Sequence, residues 1–198
     1  MPSPAQGSRL QAIVRRAAAA SVPMGIVLGM DRFLCGPSSI VPNETDGVNG
    51  AAAIRTLAEA DQLAIKGTDM LVVSSTRQGS GRLGEALDHT YDTFPSLSGT
   101  MSYMGAVLDG WLSTYVHPTQ GWGMSWGASP TAEQLVSPAL TNTSLRQVAN
   151  RVVTLGYKGI WIAEEHVSAN GERTVSLRIF SYNDDAEALE HVSCRFED

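Results

Sequence analysis

Hydrophobic positions along this chain fall into two rhythms, one helical and one strand-like. Leu10, Ile13, Val14 and Ala17 recur at helical spacing behind Ser8, whose hydroxyl suits a cap, and Pro23 stops the run; this predicts a helix over Arg9 to Ala20. Met24 to Gly29 is an unbroken apolar run bounded by Pro and Gly, which predicts a short buried strand. Ala51, Ile54, Leu57, Ala58 and Leu63 share one helical face, predicting a helix from about Gly47 to Ile65 that Gly67 ends. Asp69 to Ser74 reads as the second strand. Strand, helix and strand in this order predict a βαβ unit with parallel strands and a right-handed crossover.

Further along, Ser74 to Gly84 has the composition of a loop, and Glu85 to Tyr91 continues as helix. Met104, Val107, Leu108, Trp111 and Leu112 form the apolar side of a helix over Met101 to Tyr115. His117 to Pro130 is Gly/Trp-rich and aperiodic, so it reads as loop. Ser144 caps a helix through Leu145, Val148, Val152 and Val153, closed by Gly156. Tyr157 to Val167 and Arg173 to Tyr182 are strand-like, and Ala169-Asn170-Gly171-Glu172 between them is a hairpin turn. A short acidic helix at Asp184 to Glu190 and a last strand at His191 to Phe196 complete the expectation. The fold class is therefore α/β: a mostly parallel sheet with a βαβ unit at 24–74 and an antiparallel C-terminal hairpin. We expect one domain over 1–198, with 157–198 as an antiparallel subregion.

Composition narrows the partners. The net charge of −6 lies in the tail: Met1 to Ala163 holds 11 basic and 11 acidic residues, and Glu164 to Asp198 holds 9 acidic and 3 basic. No clustered basic footprint is present, which argues against nucleic acid. Charged residues make up 17% of the chain, below the usual quarter or so, which suggests surface hidden against itself, as in a compact enzyme, or against neighbours, as in a homo-oligomer. No run reaches the ~18 apolar residues that span a bilayer. Two cysteines, Cys35 and Cys194, read as free thiols in a reducing, cytoplasmic setting.

The first chemical candidate is Asn43 to Gly50, expected to open the first crossover helix. A helix N-terminus offers unpaired N–H groups and a partial positive charge. Gly47 and Gly50 would let a ligand approach the backbone, and Glu44 and Asp46 beside them could act as a proton-transfer pair. Capping alone, by Asn43 or Thr45, accounts for the same residues without function. This region resembles the D-glutamate cyclase family, on Ile26 to Gly29, Glu44 to Gly47, Gly50 to Ala53, Leu57 and Leu71 to Val73. The resemblance spans residues 24–75. It implies a lyase that reversibly dehydrates D-glutamate to 5-oxo-D-proline, with Glu44, Thr45, Asp46 and Gly47 at the substrate site.

The second candidate is the loop from Ser74 to Gly84. Ser, Thr and Gly between a strand and a helix can cradle an anion, and Arg77 and Arg82 add positive charge. On Ser74, Ser75, Arg77 and Ser80 it is similar to the phosphate loop of flavodoxin-like FMN reductases. His89, His117, His166 and His191 show no metal-ligand spacing, so no metal is expected. Trp122, Met124 and Trp126 could wall a ligand pocket, form a contact patch with another subunit or simply pack under a loop.

Three functions follow as expectations. The first is a cofactor-free enzyme on a carboxylate metabolite, a carbon–oxygen lyase, with Glu44 and Asp46 catalytic and Thr45, Gly47, Ser75, Arg77 and Ser80 holding substrate. The second is a non-catalytic assembly subunit, for example of a phage particle, joined through a free edge of the terminal hairpin. The third is a flavin- or phosphate-binding protein.

Overall fold

The computed structural model describes residues 8–30, 33–37, 50–67, 70–75, 81–117, 133–155, 159–167, 171 and 173–182, with the backbone alone at 33, 75, 166 and 167. In chain order the elements are α1 (Arg9–Ala19), β1 (Met24–Leu28), a 3-10 turn (Phe33–Cys35), α2 (Gly50–Ala60), β2 (Leu63–Lys66), β3 (Leu71–Ser75), α3 (Gly81–Asp88), β4 (Thr90–Phe94), β5 (Leu97–Gly99), α4 (Met101–Val116), β6 (Leu135–Ser137), β7 (Leu140–Ser144), α5 (Leu145–Leu155), β8 (Gly159–Val167) and β9 (Arg173–Ser181).

The main sheet has the order β2-β3-β1-β8-β9. β1 is parallel to both β3 and β8, whereas β2 is antiparallel to β3 and β9 to β8. The α/β class holds. The mostly parallel sheet does not: it is mixed, because each outer strand returns by a short connection from its neighbour, and such a connection can only make an antiparallel pair. The expected β8–β9 hairpin forms, with Val167 opposite Arg173 and Gly171 at φ +81, and β8 bonds directly to β1.

Helices cover both faces, which is why β1 is a continuous apolar run buried along its whole length. Met24, Ile26, Leu28, Leu71, Val73, Ile160 and Ile162 face α1 and α2 in one cluster. Val27, Val72, Trp161, Ala163, Leu177 and Ile179 face α3, α4 and α5 in the other. Two small ladders, β4–β7 and β5–β6, close the second layer; Phe94, Leu97 and Leu135 from them are buried in it. Among the described residues no helix is long and apolar enough to cross a membrane.

Local rules explain the best-formed helices. Ser8 caps α1 by accepting from the Gln11 N–H at 3.1 Å, and the Gln11 side chain returns the bond to the Ser8 N–H. Ser144 and Gln147 make the same reciprocal pair at the start of α5. Other boundaries move. The crossover helix ends at Ala60 rather than Ile65, with Gln62 at φ 57, and Leu63 to Lys66 become β2 because β3 offers a ladder partner. Ala51, expected on the buried face, is exposed. The third helix occupies Gly81–Asp88, and Tyr91 belongs to β4, whose Thr-rich sequence pairs with β7. The acidic helix at 184–190, the strand at 191–196 and the Gly/Trp segment after His117 lie outside the described residues.

Cys35 is not a free thiol: it is disulfide-bonded, and Cys194 is the chain's only other cysteine. The expected free pair, and the reducing compartment inferred from it, lose their basis.

The hairpin edge is also not free. α4 lies against β9 so closely that a methyl group on Gly105 would stand 3.0 Å from the Ile179 nitrogen. The Asp109 carboxylate accepts the outward N–H of Leu177 at 2.6 Å. A helix thus occupies the edge that another chain would need for strand pairing.

Candidate functional site

The chain runs from β1 to β3 on one side, then crosses to β8 on the other side of β1. The switch point of the sheet therefore lies between β1 and β8 at their carboxyl ends, where open α/β sheets place ligands. Leu28 of β1 is in register with Glu164 of β8, and Glu164 with Ser176 of β9. Ser75, paired with Leu63, ends β3 at the same edge.

This edge collects buried charge. Glu164 is 2% exposed; its carboxylate accepts from the Arg178 guanidinium and, at 3.1 Å, from the Ser176 hydroxyl. Side chains alternate along a strand, so Glu164, Ser176 and Arg178 share the α1/α2 face. The neighbouring Glu165 points the other way and meets Arg173 at 3.8 Å. Asp61, 3% exposed, follows α2 just before β2 and pairs with Arg9 of α1 at 3.5 Å. Arg9 stands at this edge because its N–H bonds the Gly36 carbonyl at 2.9 Å, in the segment that follows β1. Buried charges are tolerated only when paired, and here each buried acid has a basic partner. Arg178 keeps two-fifths of its side chain exposed, so its remaining donors are open to a ligand.

Of the residues proposed from sequence, Glu44, Thr45, Asp46, Gly47, Arg77 and Ser80 lie outside the described residues. Ser75 is placed, by its backbone, at the carboxyl edge. One expectation is corrected. The helix that follows the Glu-Thr-Asp-Gly segment does not begin at this edge. A methyl group on Gly50 would overlap the Ala20 Cβ, and it would stand 3.1 Å from Val22; both residues precede β1. Arg16 donates to the Ala53 carbonyl, and Asp61 at the far end of α2 meets Arg9. α2 therefore runs antiparallel to α1. It starts at the amino ends of the parallel strands and finishes at their carboxyl ends, where β2 begins opposite Ser75. β1 is five residues long, so the two ends are about 16 Å apart. Gly50 makes room for Ala20 of the same chain, not for a ligand, and the amide-rich start of α2 lends no field to the switch point.

Glu164, Ser176, Arg178, Asp61 and Arg9 escaped the sequence reading. The hairpin was visible in the sequence, but not the register that groups three of them. A two-residue Asn170-Gly171 turn would set Glu164 opposite Leu177; the observed register, with Val167 opposite Arg173, is one residue away and sets Glu164 opposite Ser176 and diagonal to Arg178. No family model, no curated protein and no solved structure matches this chain.

Proposed function

We propose that the carboxyl edge of β1, β3 and β8 is the working site of a small-molecule enzyme that acts on a carboxylate metabolite. The observation that carries this reading is the register of Leu28 with Glu164 at the switch point, with the guanidinium of Arg178 held there by a buried carboxylate. An arginine already oriented by a carboxylate presents its free N–H groups in a fixed plane, which suits a second carboxylate from the ligand. Glu164 keeps the local charge balanced when the site is empty, and Ser176 adds a neutral polar group on the same row.

The specific form we favour is a carbon–oxygen lyase acting on D-glutamate and 5-oxo-D-proline. In that reaction the amino nitrogen attacks the side-chain carboxyl carbon; a C–N bond forms and a C–O bond breaks, releasing water. One group must take a proton from nitrogen and another must deliver one to the departing oxygen. Glu44 and Asp46 are assigned those roles, with Thr45, Ser75, Arg77 and Ser80 holding substrate; Gly47, three residues from Gly50 at the amino ends of the strands, is too far from this edge to join them. Chiral chromatography of D-glutamate incubated with the protein tests it. Turnover that disappears in Asp46→Asn, with the melting temperature unchanged, is the expected result. Turnover equal to wild type in that variant removes the assignment.

A further inference from the structure

The disulfide of Cys35 can be made only with Cys194, the chain's other cysteine. The chain reaches the two sulfurs from opposite ends of the sheet. Cys35 closes the 3-10 turn after β1, at the carboxyl edge: the next residue, Gly36, accepts the Arg9 N–H at 2.9 Å, and Arg9 meets the buried Asp61 there. The route to Cys194 starts at the other edge. Ser181, which ends β9, is in register with Gly159, which begins β8. The Tyr182 hydroxyl donates at 2.9 Å to the carbonyl of Val22, which precedes β1. The chain thus leaves the sheet at the amino ends of the parallel strands, and Cys194 bonds it back at the carboxyl ends.

Both anchor points are held without the bond. Leu34, beside Cys35, is buried in the α1/α2 cluster, and Ser8 bridges to Pro37. β9 pairs with β8 along its whole length, and Tyr182 is bonded to Val22. In the folded protein the disulfide therefore fastens only the stretch from Tyr182 to Cys194. Cys35 is partly exposed, the setting in which disulfides exchange most readily. We propose that the Cys35–Cys194 disulfide is a redox-sensitive tether on the carboxyl edge: oxidised, it fastens the stretch after β9 to the turn that holds Leu34; reduced, it releases that stretch while the sheet stays folded. The reductant is a dithiol. One of its thiolates attacks a sulfur of the pair and forms a mixed disulfide, and its second thiolate displaces that sulfur; Cys35 and Cys194 end as thiols and the reductant as a disulfide. A consequence for catalysis rests on this edge being the working site; the tether does not, and its test uses no substrate.

Dithiothreitol added to the full chain tests it. Thiol labelling should find no cysteine thiol before reduction and both after it. Glu-C protease should cut after Glu187 or Glu190 about 10-fold faster in the reduced protein. Amide resonances of Leu28, Leu34 and Cys35 should move, and those of Ile162 and Ile179 within the sheet should not. Far-ultraviolet dichroism at room temperature should be unchanged. The melting temperature should fall by about 5–15 °C, because the bond also restricts the unfolded chain. Cys35→Ser should be cut at the reduced protein's rate and ignore dithiothreitol. Labelled thiols in the unreduced protein, equal cutting rates in the two states, or loss of the far-ultraviolet signal on reduction would each overturn the proposal.

Discussion

The carboxylate of Asp109, on α4, accepts the backbone N–H of Leu177, on the outer strand β9, at 2.6 Å. This bond joins a helix to the edge of a sheet, and it holds the carboxyl in an environment that opposes its charge. Burial pushes the Asp109 carboxyl above its ordinary value. The Leu177 N–H and Arg178 pull it back, and Glu164 pushes it further up.

The sign of the resulting pH dependence follows. A group whose folded-state value is raised contributes stability that is full below the ordinary 3.8 and is lost as pH rises through the folded value. Asp109→Asn keeps an acceptor for Leu177 and removes the titration. Urea melts across the acidic range should therefore show the variant gaining on wild type as pH rises. Parallel profiles would contradict the assignment. Asp109→Ala leaves the Leu177 N–H without its acceptor and should lose about 1–3 kcal/mol.

Gly25 and Trp161 are partners in register across the β1–β8 pair, and the indole lies where a Gly25 side chain would be. Trp161 cannot move aside easily: it is fully buried, and its indole N–H donates to the Asn150 side chain at 2.7 Å. Gly25→Ala should destabilise by about 1–3 kcal/mol, the range for overpacking a filled core, with lost near-ultraviolet dichroism from the displaced indole. A melt indistinguishable from wild type would show that the ring has room the structure does not give it.

Much of the frame was legible because local rules and burial agree. Ser8, Leu10 and Ile13 specify α1 through a cap and one apolar stripe, and Gly171 specifies the hairpin through its turn. What failed depends on distant partners. Leu63 continues a helical spacing, yet β3 makes it a strand. Tyr91 reads as the end of a helix until β7, some 50 residues later, supplies its ladder. The direction of α2 was illegible because Gly50 carries no sign that its neighbour is Ala20 and not a ligand. The buried Glu164 looked like one more acid in an acidic tail; its meaning came only from the strand order that sets it beside Leu28.

The Glu164–Arg178 pair is asymmetric, and its variants should be too. Glu164 is enclosed while Arg178 reaches solvent. Arg178→Met leaves a buried carboxylate short of its main counter-charge and should cost about 2 kcal/mol or more. Glu164→Gln leaves a cation that water can reach, and should cost less. Calorimetric melts of the two variants decide it; equal losses, or the reverse order, would show that the pair is not organised as described.

Ligand placement at the switch point is the claim on which the functional account stands. A backbone-amide NMR titration with 5-oxo-D-proline reads it residue by residue. The account predicts saturable shifts grouped at Leu28, Ser75, Glu164 and Arg178, with Tyr91 and Trp111 unmoved. Shifts confined to Ala20, Val22 and Gly50 at the amino ends of the strands, or no shifts at all, would contradict it.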